Sequence, residues 1–335
     1  MNGTFDGVEV QEPSVCENMA VFPLRRLRAE GERATRREYL LAAEAIGEGR
    51  VQVVEVDADG SVSHLLVKNR AGQAVLFVEG EELIGAKQNR VLNTSVLVGS
   101  DTECVIPVSC IEQGRWNELS RSLDSAGRVS PSHLRHKLKR SVTRSLRRKR
   151  GHRSDQTEVW QDIRVQQRDM KVDSKTVAMT DTFERYKKRI ERIRAALPWR
   201  AGTEGLVVAV DGRIVGMDLF DSNEVCAEAW DRLLAGYALD ALRAELKRAI
   251  SGERELVGVQ SSVERSTRRD QQEAVPQRSE IEMFLERLDQ SEWEEASAVG
   301  EGREFRLELG PHQQASILQW HGRSLHSSAT VEAAG

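Results

Sequence analysis

Alternation of apolar and polar positions, and three-to-four spacing elsewhere, divide this chain into elements before any chemistry is considered. Residues 51–56 (VQVVEV), 61–68 (SVSHLLVK) and 73–79 (QAVLFVE) are short β-rich runs separated by DADG and NRAG. Runs of that length between tight-turn sequences predict strands joined as an antiparallel meander. Two further runs follow, 90–98 (RVLNTSVLV) and 103–111 (ECVIPVSCI). Pro107 has no amide proton to give a ladder, which predicts an edge or a bulge there. Upstream, TRREYLLAAEAIGEG (35–49) predicts a short helix, with Thr35 and Glu38 at capping-box spacing and Gly47 as its stop.

From Pro131 the period changes. Leu134, Leu138, Val142 and Leu146 recur every fourth residue through a strongly basic segment, predicting a helix with a narrow apolar stripe and charge on its other sides. A second helix is expected to start near Ser154. A third carries Phe183, Tyr186, Ile190, Ile193 and Leu197 and stops at Pro198. GLVVAVDGRIVGMDLFD (205–221) predicts a hairpin turning at Asp211-Gly212, because this dipeptide suits a type I′ turn. Asp221 and Glu224 are then spaced as N-cap and N3 of a long helix burying Trp230, Leu233, Leu234, Tyr237 and Leu242. Residues 252–280 lack a period and predict a surface loop or linker. EFRLELG and ASILQWHGRSLHSSATV predict closing strands that turn at His321-Gly322.

Composition narrows the class. The chain has 335 residues, enough for one elaborate unit or two compact ones, and at 30% charged residues some segments must be solvated. No apolar run reaches membrane-spanning length and the N-terminus lacks a signal-peptide pattern, so a cytoplasmic protein without membrane contact is expected. Cys16, Cys104, Cys110 and Cys226 show neither CxxC spacing nor a disulfide framework and are expected to be small buried residues.

Candidate chemistry concentrates in EGEELIGAKQNRVLNTSVLVGSDTECVIPVSCIEQGRW, residues 79–116. On a strand, Glu79 and Glu81 share a side, where two carboxylates can hold a cation or split their pKa values as an acid and base. Pairing with Lys87 and Arg90 is the plainer expectation, and no metal is assigned. Gln88 and Asn89 offer paired donors and acceptors, and Arg90 a fork for phosphate or carboxylate. Cys110, with Glu112, Arg115 and Trp116 just behind it, is either a nucleophile beside a cation or a buried structural thiol. A second feature is the absence of any acid between Asp124 and Asp155, where Arg and Lys recur. Such a stripe, ending in Arg147, Arg148, Lys149 and Arg150, suits a phosphate backbone, internal pairing with the acid-rich remainder of the chain, or a solvated face. Walker A, GxGxxG, GxSxG and HExxH patterns are absent from the sequence.

EGEELIGAKQNRVLN (79–93), IPVSCIEQGRW (106–116) and, more weakly, GRIVGMDLFDS with LLAGYALDAL (212–242) resemble the ARG and rhodanese-phosphatase-superfamily-associated protein domain family, across most of the chain. That resemblance implies a setting in ADP-ribose, NAD or RNA-end metabolism. It favours Glu79, Glu81, Gln88, Asn89, Arg90, Asn93, Cys110, Glu112, Arg115 and Trp116 as the site, without a known catalytic residue to transfer.

The expected fold is α+β: an antiparallel β-rich core (1–125), a charged helical arm (126–200), and a hairpin, long helix and closing strands (201–335) that either form their own unit or complete the same core. Two functions follow. In one, Gln88, Asn89, Arg90, Asn93, Arg115 and Trp116 hold a phosphorylated ribose, a nucleotide-like molecule or an RNA end. Glu79, Glu81, Cys110 or Glu112 then supply the chemistry. In the other, the protein is a non-catalytic scaffold or a nucleic-acid- or protein-binding module using the basic helix, and the polar motif is a buried network that specifies the fold. Exposure discriminates them, since a site opens into a pocket. The sequence leaves open whether the protein is an enzyme and names no cofactor.

Overall fold

The computed structural model describes residues 4–27, 37–56, 61–117, 120–256 and 275–332. Strands and helices are numbered here in chain order. A nine-stranded antiparallel sheet joins the two ends of the chain. Its order is β1 (Val8–Val10), β3 (Met19–Arg26), β13 (Gly205–Val210), β14 (Arg213–Phe220), β18 (Arg323–Val331), β17 (Gln313–Trp320), β16 (Arg303–Leu309) and β15 (Glu294–Ala296), with β2 (Ser14–Cys16) also on β3. A closed barrel runs β11 (Glu103–Cys110), β6 (His64–Asn69), β5 (Val51–Glu55), β12 (Leu123–Val129), β8 (Glu81–Gly85) and β9 (Arg90–Leu92). A small sheet holds β10 (Val96–Val98), β7 (Ala74–Phe77) and β4 (Tyr39–Leu41). The helices are α1 (Ala42–Gly47), α2 (Ser132–Arg147), α3 (Gln156–Asp169), α4 (Met179–Ala196), α5 (Asn223–Leu256) and α6 (Arg278–Gln290). The α+β class expected from the sequence is therefore the observed one.

Period-two alternation explains how the large sheet separates two cores. On β13, Leu206, Val208 and Val210 face a core shared with α2, α4 and α5, whereas Val207 and Ala209 face the other, where α6 inserts Ile281, Phe284, Leu285 and Leu288. The barrel interior is a third cluster, filled by Val53, Val67, Leu83, Leu92, Ile106, Val108 and their neighbours. Asp211 and Gly212 both have positive φ, as a type I′ turn requires, and His321-Gly322 repeats that geometry. No helix of the described residues is long and apolar enough to cross a membrane.

Several boundaries differ from the pattern-based reading. Only Ala42–Gly47 of the first helix is helical, because Tyr39–Leu41 pairs with β7 in parallel; Thr35 lies outside the described residues. The meander breaks after β6, since β7 leaves to pair with β4 and β10. The 90–98 run is two strands, divided where Thr94 and Ser95 turn their hydroxyls toward Glu304 and His326. Pro107 marks the handover at which β11 leaves its β6 ladder and begins its β9 ladder. Ser222, not Asp221, caps α5, its Oγ accepting from Glu224 N at 3.2 Å; Asp221 accepts from the Tyr39 hydroxyl at 2.5 Å. Of the expected 252–280 linker, residues 252–256 continue α5 and 278–280 open α6, while 257–274 lie outside the described residues.

Helix α2 departs furthest from expectation. Leu134, Leu138 and Val142 are buried as predicted, but so are Arg135, His136 and Lys139, so the charge on this helix is not simply turned outward. It packs on β14, β16, β17 and β18 and against α3 and α5. Backbone approach makes this possible at two glycines. A Cβ on Gly80 would lie 2.9 Å from the Arg135 side chain, and one on Gly236 of α5 would lie 2.5 Å from the Val129 carbonyl oxygen.

Candidate functional site

The 79–116 motif comes together only in part. The loop between β8 and β9 and the segment after β11 carry Gln88, Asn89, Arg90, Cys110, Glu112, Arg115 and Trp116 to one end of the barrel. The Arg115 guanidinium donates to Glu112 Oε2 (2.9 Å), to the carbonyls of Ala86 (2.7 Å) and Asn117 (3.0 Å), and to Asn89 Oδ1 (3.2 Å). Glu112 also accepts from Asn89 N and Thr176 Oγ1, both at 3.3 Å. Arg90, fully buried, donates to Gln88 Oε1 (3.1 Å) and to the Ser61 carbonyl (3.4 Å), has Glu55 at 3.7 Å, and lies over the Trp116 ring. Burial lowers the Arg90 pKa, and Cys110 and Glu55 oppose that shift. Asn93 turns the other way, donating to the His152 carbonyl (3.0 Å) and accepting from Ser109 (2.6 Å). The two arginines thus spend much of their donor capacity inside the protein, and Trp116 is the one member left substantially exposed, at 43%.

Glu79 and Glu81 do not share a side. Gly80, at φ +82°, turns the chain between β7 and β8, so the strand alternation that would align them is interrupted. Glu79 receives Lys139 Nζ at 2.5 Å, with Ser316 and Ser328 completing the ammonium's shell at 2.7 and 2.6 Å. Glu81 accepts from Val78 N at 3.0 Å and sits 3.4 Å from Arg232; burial raises its pKa. Neither carboxylate reaches the Arg90–Arg115 group, so the expected acid–base pair is not assembled. Cys110 is fully buried, its Sγ 3.1 Å from the Glu112 carbonyl, and burial pushes the thiol up. A nucleophile needs the opposite shift. All four cysteines are free.

Around Glu79 lies a larger sealed network. Arg135 grips Asp218 with two hydrogen bonds (3.0 and 2.5 Å), and Asp218 also accepts from the Tyr237 hydroxyl (2.8 Å) and meets His326 Nε2 (3.0 Å). Despite full burial, Arg135 and His326 hold the Asp218 carboxyl well below the usual carboxylate range. Burial lowers Lys139 to about 8, with Glu79 resisting the shift.

The end of α2 behaves differently. Arg147 pairs with Glu294 (2.6 Å) and Glu308. Arg148, Lys149 and Arg150 are exposed, as are Arg144 and Arg153, and none of these five has a carboxylate partner among the described residues.

A cleft of about 1470 Å³ opens elsewhere, between the β13–β14 hairpin and helices α2, α3, α5 and α6. Pattern reading missed it. On its wall His133 stands between two carboxylates, Nδ1 2.7 Å from Asp240 Oδ1 and Nε2 3.2 Å from Asp162 Oδ2. Asp240 Oδ2 accepts from Ser132 N (2.7 Å), fixing the start of α2, and Lys137 reaches Asp162 Oδ1 at 3.3 Å. Burial opposes protonation of His133, yet Asp162 and Asp240 outweigh it and raise the imidazole to about 9; the same contact lowers Asp162 to about 2. The cleft draws on residues from 132 to 332, so no local spacing signals it. Among the described residues, no group of three or more His, Cys, Asp or Glu side chains is arranged to hold a metal ion.

Neither a curated protein nor a solved structure matches the chain. The sequence model of one family does, over residues 7–330, which includes the barrel, the large sheet and every helix described above. On that match, the chain belongs to the ARG and Rhodanese-Phosphatase-superfamily-associated Protein domain family.

Proposed function

We propose that this protein binds phosphorylated ribose in its polymeric form, the backbone of an RNA or other nucleic acid, through the basic turn that follows α2. The observation that carries the reading is the contrast between two sets of cations. Arg90 and Arg115 are engaged within the 79–116 network, whereas Arg144, Arg148, Lys149, Arg150 and Arg153 stand exposed without a carboxylate partner among the described residues. Such a surface gains free energy from a phosphate backbone by releasing condensed counterions, without needing base contacts. Binding is the proposed activity; a setting in RNA-end or ADP-ribose metabolism, in the cytoplasm, is part of the same proposal. On this reading the 79–116 network serves the fold, as a polar cluster whose members hold one another in place.

Fluorescence polarisation with a 5′-phosphorylated single-stranded RNA, repeated as salt rises, tests it. The expected result is affinity that falls steeply with salt. Replacing Arg148, Lys149 and Arg150 by Gln should flatten the log–log slope by roughly 2 units, at about 0.7 for each phosphate contact on a single strand. Absence of retention at low ionic strength would refute the proposal. In parallel, ADP-ribose and NAD in a thermal-shift assay test the small-molecule forms of the ligand.

A further inference from the structure

We propose that Trp116 is a base-stacking platform at one end of the barrel, and that the nucleic acid held by the basic turn is therefore single-stranded. The inference rests on the function proposed above. It adds the form of the ligand, a strand whose bases are unpaired and offer their faces.

Strand alternation builds the platform. Arg90 and Leu92 share one side of β9, and Glu55 and Val53 share one side of β5. Leu92 and Val53 fill the barrel, so Arg90 and Glu55 point the same way and close its end, 3.7 Å apart. Trp116 lies over this closure, its ring centroid 5.8 Å from the Arg90 guanidinium carbon. Arg90 is fully buried, so the ring face it meets is the inner one, and the exposed part of Trp116 lies on the outer side. The ring is not alone there. Val56 and Val62, 38% and 37% exposed, directly follow Glu55 and Ser61, two of the residues that Arg90 reaches. Three of the seven exposed large apolar side chains among the described residues thus surround one guanidinium, a patch rather than a scatter.

The charge around the patch selects its occupant. Glu55 and Glu112 are turned inward onto Arg90 and Arg115, with only 12% and 9% of their side chains exposed. Lys87 Nζ lies 5.5 Å from the Trp116 ring centroid, bringing a cation to the place where a phosphate adjoins a stacked base. From there β11 leads to the basic turn. Cys110 pairs with Arg90, the Ser109 hydroxyl meets that of Ser154, and Pro107 pairs with His64. Burial and, after it, the charge of Arg153 lower the His64 pKa, which puts Arg153 beside that last pair. Asp155, next along, is committed to the start of α3, accepting from Thr157 N (3.0 Å) and Glu158 N (3.2 Å). Residues 107 to 110 of β11 span roughly 10 Å, within reach of a strand of about 4 nucleotides. Cations that follow the backbone beside an aromatic ring that takes a base are how proteins hold single strands without reading their sequence. A duplex keeps its base faces stacked on one another and gains nothing from the ring.

The test is fluorescence polarisation of the full chain with a labelled single-stranded RNA of about 8 nucleotides and with a duplex of the same length. Trp116→Ala should weaken the single strand roughly 5-fold or more, leaving the duplex and the salt dependence of binding unchanged. Replacing Arg148, Lys149 and Arg150 by Gln should do the reverse, flattening the salt dependence for both RNAs. Trp116→Phe keeps a ring and should retain most of the single-strand affinity. Trp116→Leu keeps bulk without a π face and should lose it, and it replaces the alanine variant in the comparison if that variant's melting curve shows misfolding. Unchanged single-strand affinity in Trp116→Ala, or tighter binding of the duplex than of the single strand by the intact protein, would overturn the platform while leaving the basic turn as a nucleic-acid surface. The patch would then be a docking face for a protein. Failure of the intact protein to retain either RNA at low salt would overturn both readings.

Discussion

Two faces of helix α2 carry the same kinds of side chain to different ends. Arg135 and Lys139, one turn apart, enter a buried network where Asp218, Glu79, Tyr237 and two serines answer them. His133 and Lys137, also one turn apart and some 200° round the helix, line an open cleft with Asp162 and Asp240. The sealed face is held by several short bonds, with Arg135 Nε and Glu79 Oε1 left without a hydrogen-bond partner. The open face holds His133 in ion pairs with Asp162 and Asp240 at the edge of the cleft. Charge on a helix therefore says little about its surroundings; what differs is whether neighbouring elements close over the ion pairs or leave a cleft beside them.

The sharpest test of the sealed face is Asp218→Ala. It strands a buried guanidinium, and urea unfolding should show a loss of roughly 3–5 kcal/mol, because removing one partner of a buried pair leaves the other charge uncompensated. A loss below about 1 kcal/mol would mean that water reaches Arg135 and that the two faces do not differ.

The next effect separates the faces by sign. His133 titrates near 9 in the folded chain against 6.5 for the free side chain, in the company of Asp162, Asp240, Lys137 and Arg243. Its stabilisation is therefore complete below about pH 6.5 and is lost as pH rises through about 9. The full effect is of the order of 3 kcal/mol, shared with Asp162 rather than added to it. Chemical denaturation from pH 6 to 9 should show this decline, and His133→Gln should flatten it. Lys139 acts oppositely. Burial lowers its ammonium from 10.5 to about 8, so its penalty is present below about pH 8 and is relieved between 8 and 10.5. Lys139→Met should remove that rise between pH 8 and 10.5; it also leaves Glu79 buried without its cation, so the variant is read in that window alone. If both variants change the same pH window, the faces are coupled rather than distinct.

The smallest effect belongs to the helix end. Arg147 forms ion pairs with Glu294 and Glu308 at a position where its side chain is 42% exposed, and Arg147→Ala should cost less than about 1 kcal/mol in the same denaturation assay. A larger loss would place the end of α2 with its buried face.

Local signals were legible in the sequence because the causes are local. Asp211-Gly212 and His321-Gly322 supply the positive φ their turns need, period-two alternation sorts β13 between two cores, and three-to-four spacing gives α4 and α5 their buried faces. The Arg115–Glu112–Asn89 group was legible too, because the residues lie within one short stretch and a single strand register brings them together. Glu79 and Glu81 misled for an equally local reason: Gly80 at positive φ ends the alternation on which their common side depended.

What the sequence by itself determined was the class of the fold, most of its turns and helices, and the presence of unusual polar motifs. The partners of its buried charges were decided by tertiary structure alone. Lys139 meets Glu79 across 60 residues, Arg135 meets Asp218 across 83, and His133 meets Asp240 across 107. A charge is tolerated in the interior only when a specific partner desolvates with it, and the choice of partner follows from how sheets and helices pack. The cleft is a product of the same packing, formed where a hairpin and four helices meet without filling the space between them.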